Sequence, residues 1–221
     1  MSICTPPSPK KETTPFTEDY YLRGKEKGLS NYQNYRWLPD QTLPFARHLQ
    51  WHLGLKSEDV ILDHGASRGY LVKALRMNGL NARGMDISEW AVENCDPSVK
   101  DCMSTELVTG SMIYDWVISK DCWEHIPEPV LRDLVPALGK SVRKGIFIVV
   151  PLTGYTSGRY IRDEDESDPT HQIRFTLPDW LLFLTDLLPE FNVTGSYCIH
   201  GIKPAAEQKR QSCGFFTMTR R

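Results

Sequence analysis

A chain of 221 residues is long enough for one α/β domain with a full core and too short for two such domains with a linker. Its 26 basic and 28 acidic residues leave a net charge of -2, with no long basic run to follow a phosphate backbone, so no nucleic-acid partner is expected. The N-terminus has no hydrophobic signal core and no run of about 18 apolar residues occurs, so we expect no membrane association and a soluble, cytoplasmic protein.

Residues 1–17 are rich in Pro, Ser, Thr and Lys and are expected to form a flexible tail, because they bury too little apolar surface to offset ordering. An aromatic-rich segment follows, with Phe16, Tyr20, Tyr21, Tyr32, Tyr35, Trp37, Phe45 and Trp51 spread among short helical patterns, and 18–55 reads as a helical cap. Strands and helices then alternate. Extended runs are expected at 60–63, 81–86, 98–102, 115–119 and 145–150, and helices at about 70–78, from Ser88, and at 129–138. Strands without a polar face, alternating with helices, predict a parallel sheet covered on both sides.

The polar stretch 153–175 is longer than an ordinary connection and is a candidate active-site loop, with a solvated surface excursion as its alternative. The chain closes with a helix from Leu177, a strand at 191–201 and a last strand at 213–219, read as an antiparallel hairpin at one sheet edge. Six cysteines, Cys4, Cys95, Cys102, Cys122, Cys198 and Cys213, form no C-x-x-C pair and have no histidine at zinc-finger spacing; they read as reduced thiols.

The run Val60-Ile61-Leu62-Asp63-His64-Gly65-Ala66-Ser67-Arg68-Gly69 places a carboxylate at a strand end, then small residues, then a helix. Small residues let a ligand approach the backbone, and amides at a helix start can donate to it. About 20 residues on, Gly84-Met85-Asp86 ends the second strand, where nucleotide folds place a carboxylate for ribose hydroxyls. A nicotinamide cofactor would bring a pyrophosphate over the turn, against the charge of Asp63; a ligand carrying sulfonium and ammonium groups tolerates that aspartate.

With Asp101-Cys102 at a third strand and the segment from Tyr114 to Ile126 at a fourth, the ordered set resembles the class I S-adenosylmethionine-dependent methyltransferases over roughly 56–151. Ser67 stands where that family usually has the middle glycine. A serine there must either avoid the left-handed backbone region or carry strain in it.

The resemblance implies a Rossmann-like, seven-stranded, mostly parallel sheet with helices on both faces, a C-terminal antiparallel hairpin and an N-terminal helical cap. It makes 56–221 a methyltransferase domain with 153–175 inserted. Asp63, Gly65, Ala66, Ser67 and Gly69 would then line the methionine part of the cofactor, Asp86 would accept from the ribose hydroxyls, and Ile87 would also contact the cofactor. Asp101 would accept from the adenine amino group, bordered by Cys102 and Met103. The backbone at Ser119 and Lys120 would face the amino and sulfonium groups. The implied cofactor is S-adenosylmethionine, with S-adenosylhomocysteine as product. Residues 31–37 would fold over it, with Arg36 offered to the methionine carboxylate, simple packing of the cap being the alternative.

Methyl transfer from a sulfonium is an in-line displacement that needs alignment and, for a hydroxyl acceptor, removal of a proton. His171, His125 and Asp121 are the candidate catalytic residues, all expected at the carboxyl edge of the sheet, where open α/β sheets bind ligands. Asp121, Asp168 and His171 are too scattered in sequence to predict a metal ion. No Asn-Pro-Pro-Tyr box follows the fourth strand, which disfavours methylation of base amino groups. The expected activity is O-methylation of a small polar acceptor such as a saccharide. The alternatives are N-methylation, a protein that binds the cofactor without turnover and, more distantly, a nicotinamide-dependent oxidoreductase.

Overall fold

The computed structural model describes residues 14–155, 158–197, 199 and 211–221. Its strands are β1 (Val60–His64), β2 (Asn81–Met85), β3 (Met103–Ser104), β4 (Tyr114–Lys120), β5 (Val142–Pro151), β6 (Phe191–Ser196) and β7 (Cys213–Arg220). They form one seven-stranded sheet in the order β3-β2-β1-β4-β5-β7-β6. The first five run parallel, and β7 lies antiparallel between β5 and β6. The two closing strands are thus a pair, but the last strand inserts against β5 instead of taking the edge.

The sheet is apolar on both faces because successive side chains of a strand point to opposite sides. In β5, Ile146, Ile148 and Val150 join one core cluster, and Phe147 and Val149 join the other. Each of these five side chains is fully buried, a contribution of about 1.5–3 kcal/mol apiece. The first cluster is closed by α6 (Glu128–Ser141) and α8 (Leu177–Leu187) through Leu131, Val135, Leu138, Trp180 and Leu184. The second is closed by α3 (Pro39–Leu53), which follows the short α1 (Glu18–Leu22) and α2 (Gly24–Lys27), and by α4 (Tyr70–Met77), through Phe45, Ala46, Leu49, Val72 and Leu75. The expected cap over 18–55 is therefore divided: α3 belongs to a covering layer of the sheet, because its buried residues recur at helical spacing.

The start of α8 is set by a capping box in which Thr176 and Asp179 exchange side-chain and backbone hydrogen bonds. The third strand falls later than expected. Asp96 accepts from the Ser98 N–H and Pro97 occupies the first turn, so Pro97–Cys102 closes as a 3-10 helix and only Met103–Ser104 is extended. The loop after β5 is ordered around a bridge between Thr153 and Tyr160 and a short α7 (Asp163–Glu166), with Tyr160 buried and donating to the Ile173 carbonyl. The tail expected over 1–17 lies outside the described residues up to residue 13. Its last residues are packed, the Phe16 ring lying edge-on to Tyr20 at 5.0 Å. Cys4 and Cys198 lie outside the described residues, whereas Cys95, Cys102 and Cys122 are free thiols. Among the described residues no helix is long and apolar enough to cross a membrane.

Candidate functional site

The turn from β1 into α4 lies over the end of β2. The N–H groups of Gly65 and Ala66 both donate to the Met85 carbonyl, at 2.8 and 2.9 Å, and Gly69 N–H closes the turn on the Ala66 carbonyl at 2.8 Å. Gly65, Ser67 and Gly69 take φ of 81°, 50° and 73°. Ser67 therefore occupies the left-handed region, which costs an L residue about 1–2 kcal/mol. Asp86 compensates: its carboxylate accepts from the Ser67 N–H at 2.6 Å and from the Ser88 N–H at 2.8 Å. One strand-end aspartate thus braces both the glycine turn and the start of α5 (Glu89–Glu93), where Ser88 caps the Ala91 N–H.

At Gly65 a Cβ would stand 2.3 Å from Cys122 Sγ and 2.6 Å from Cys122 Cβ. Gly65→Ala is expected to lose about 2 kcal/mol through this overlap and its positive φ, lowering Tm by roughly 4–8 °C. A thermal melt with unchanged Tm would show that the turn has room the structure does not give it.

Asp63 and Asp86 are both buried at this edge. Burial, and then the neighbouring Asp86 charge, push the Asp63 carboxyl up to about 7, opposed by Lys120. Burial also raises Asp86, while the N–H groups of Ser88 and Ser67 pull it down. Ser119 Oγ donates to the His64 carbonyl at 2.8 Å, fastening the end of β4 to the end of β1. Lys120 pairs with Asp121, which is held at φ 51° by its N–H bond to the Val149 carbonyl.

Residues 14–37 cover this edge. The Tyr21 ring stacks on Trp90 at 5.4 Å, and the Tyr35 ring lies 5.4 Å from Tyr70. Burial raises the Tyr21 and Tyr35 phenols well above their ordinary range, so they stay neutral donors. Ser88 Oγ donates to the Phe16 carbonyl at 2.5 Å. Arg68 donates to the carbonyls of Tyr35 and Asn94, and its guanidinium lies over the rings of Tyr70 and Trp90. Arg36, expected to offer its guanidinium to the methionine carboxylate, is exposed.

The third-strand residues also differ from expectation. Asp101 is exposed on the 3-10 helix before β3, on the amino side of the strand, because the strand itself begins only at Met103. Cys102 is turned to the Val99 carbonyl at 3.2 Å. The Asp86 N–H meets the carboxyl end of β3 at the Ser104 carbonyl, so the first acidic residue past that end is Glu106. Met103 does reach the turn: its sulfur would sit 3.0 Å from a Cβ at Gly69 and 2.5 Å from one at Gly84. Ile87 is exposed beside Asp86.

His125 and His171, far apart in sequence, stand with ring centroids 4.6 Å apart. His125 follows β4 in the 3-10 turn Trp123–His125, and His171 comes from the loop after β5. His125 Nδ1 lies 2.8 Å from Thr170 Oγ1, which donates to Asp168 Oδ1 at 2.6 Å. Burial lowers both imidazoles, His125 to about 4 with a further push from His171, so both are neutral near pH 7. Glu124 completes the group. It is 1% exposed, and burial, then the Asp121 charge, raise its carboxyl well above the ordinary range. Its backbone carbonyl receives the N–H groups of Gln172 and Ile173, which joins the His171 loop to the 3-10 turn. Tyr20 and Tyr160 wall the group, Tyr20 beside Thr170 and Tyr160 with its ring 5.0 Å from His171. Glu124, Tyr20 and Tyr160 are not expected from sequence. Only the adjacency of Glu124 to His125 hinted at the first, and the tyrosines reach the site through tertiary packing. A separate cleft of about 560 Å³, lined by Thr109, Met112, Asp133, Lys140, Glu190 and Arg220, opens at the opposite, amino edge of the sheet and has no part in this constellation.

No family model and no curated protein matches the chain. Solved structures do. A chain of the complex between the Haloferax volcanii Trm112 methyltransferase activator and its methyltransferase partner aligns with TM-score 0.62 at 16% identity, over 89% of this chain and 94% of that one. An S-adenosylmethionine-dependent methyltransferase from Archaeoglobus fulgidus aligns with TM-score 0.61 at 17% identity, over 81% and 94%. The magnesium protoporphyrin IX methyltransferase of Synechocystis PCC 6803, solved with bound S-adenosylhomocysteine, aligns with TM-score 0.57 at 13% identity, over 92% and 97%. The chain has the fold of these methyltransferases, as the ordered strand-end motifs led us to expect.

Proposed function

We propose that this chain is an S-adenosylmethionine-dependent methyltransferase acting on a hydroxyl of a small polar acceptor, of which saccharides are the leading class. One observation carries the reading: Asp63, the glycine turn and Asp86 meet at the same sheet edge as His125, His171 and Glu124. The residues at that edge suit the cofactor. Asp63 is a buried carboxyl whose ionised form lacks sufficient compensation, and a ligand ammonium or sulfonium would supply it. Asp86 offers further lone pairs for ribose hydroxyls beside those used by Ser67 and Ser88.

When bound, the cofactor supplies a methyl carbon already activated on a sulfonium. The chain supplies the rest. Asp63 and the Gly65–Gly69 turn hold the methionine part, Asp86 the ribose, and Ile87 and Met103 the apolar border of the base, with Asp101 given no role. Ser119 and Lys120 present backbone toward the amino end. The aromatic cap of Phe16, Tyr20, Tyr21 and Tyr35 excludes water. His125 and His171 activate the acceptor, in a setting of Thr170, Asp168 and Tyr20 whose polarity suits a hydroxylated molecule. Their convergence with Glu124 favours turnover over a role in binding alone.

The test is formation of S-adenosylhomocysteine in the presence of sugar, phenol and amine panels. We expect turnover that depends on a hydroxylated acceptor. His171→Ala is expected to lower kcat about 100-fold or more while leaving S-adenosylhomocysteine affinity within about twofold. Turnover on amines alone would replace O- with N-methylation; cofactor binding with no turnover on any panel would replace the enzyme with a binding protein.

A further inference from the structure

Glu124, His125 and His171 each offer a ligand atom, and these atoms all lie within 4.8 Å of one another. Two of the three groups have atoms without a partner among the described residues. Glu124 Oε2 is buried with no hydrogen bond, and so is His171 Nδ1. Buried polar atoms of this kind are rare and ask for an occupant.

The hydrogen bonds around the imidazoles fix which nitrogens are free. Thr170 Oγ1 spends its single proton on Asp168, so toward His125 it can only accept, and His125 Nδ1 must carry a hydrogen. That leaves the lone pair on His125 Nε2. His171 Nδ1 is buried without a partner, and it offers a lone pair when the ring carries its hydrogen on Nε2. A histidine that donates its other N–H to a fixed oxygen is the usual arrangement of a metal ligand, because the bond sets both tautomer and ring orientation.

We infer that Glu124, His125 and His171 form a site for a divalent transition-metal ion, with Thr170 and Asp168 orienting His125 from behind. Two imidazoles and one carboxylate suit Zn²⁺, Co²⁺ or Fe²⁺ and are poor for Mg²⁺, which prefers oxygen ligands. Three protein ligands leave a coordination position open, where the oxygen of an acceptor hydroxyl would bind and become more acidic. The trio differs from the scattered set Asp121, Asp168 and His171 considered from sequence, because burial and loop packing select Glu124 and His125. The site stands on these side chains alone and does not require that the chain transfer methyl groups.

The experiment is titration of tag-free, chelator-treated full-length protein with Co²⁺, followed by visible absorption, and with Zn²⁺ by competition. The expected result is one ion per chain, visible d–d bands, displacement by Zn²⁺ and no displacement by an equal concentration of Mg²⁺. His171→Ala and His125→Ala should each weaken Co²⁺ binding at least about tenfold while keeping a cooperative melt and wild-type S-adenosylhomocysteine affinity. Absence of saturable Co²⁺ binding to the wild-type protein, or binding that persists unchanged in both variants, overturns the site. The wild-type titration decides even if a variant fails to fold. Failure of methyl transfer with intact Co²⁺ binding would instead count against the proposed function alone.

Discussion

Asp86→Ala is expected to weaken S-adenosylhomocysteine binding by roughly 2–3 kcal/mol, a 30- to 150-fold rise in Kd. Two losses combine. The carboxylate is the proposed partner of the ribose hydroxyls, and charge-assisted hydrogen bonds are the strong kind. It also receives the N–H groups of Ser67 and Ser88 at 2.6 and 2.8 Å, and without it the left-handed Ser67 loses the bond on its own N–H. Asp86→Asn should keep one of the two turn bonds and fall between wild type and alanine. Calorimetry with an affinity unchanged in the alanine variant would remove Asp86 from the binding site.

The second large effect is a pH dependence of cofactor affinity set by Asp63. In the free protein its carboxyl lies at about 7, so near pH 6 it is mostly protonated. A cationic ligand favours the ionised form, so binding lowers the pKa and releases a proton. Affinity must therefore rise as pH increases through the free-protein value and level off above it. Kd at pH 6 should be about tenfold larger than at pH 8, before the ligand's own amino group loses its charge. Asp63→Asn should flatten this profile and weaken binding at pH 8. The same shift has a cost for the empty fold. Because the folded pKa is raised above the unfolded value, Asp63 favours folding most below pH 3.8 and progressively less as pH climbs to 7. Asp63→Asn should accordingly raise the Tm of ligand-free protein at pH 8. A wild-type affinity that is flat between pH 6 and 8 would contradict the assignment of Asp63 to the cationic part of the ligand.

The fold was legible in sequence wherever the signal was local. Apolar runs at β1, β4 and β5 mark strands buried on both faces, and the carboxylates at Asp63 and Asp86 are read directly from strand ends. What sequence placed wrongly depended on competition between neighbouring elements. Asp96 and Pro97 start a 3-10 helix that consumes the residues expected as the third strand, which takes Asp101 away from the carboxyl edge. Aromatic residues in 18–55 all suggested a cap, yet Phe45 faces the core with Ala46 and Leu49, while Tyr20, Tyr21 and Tyr35 cover the site.

His125 and His171 were each visible as candidates, but their meeting was not. It follows from the Gln172 and Ile173 N–H bonds to the Glu124 carbonyl, contacts between segments some 48 residues apart. Glu124 was the least legible member, since its meaning lies in a buried oxygen with no partner and no sequence pattern encodes that.

Whether the carboxyl edge between Asp63 and Asp86 binds S-adenosylmethionine is decided by calorimetric titration of wild-type protein with S-adenosylhomocysteine at pH 8. The expected result is saturable binding of one molecule per chain. No detectable heat or saturation at millimolar ligand would contradict it, whatever acceptor or metal the protein is later found to use.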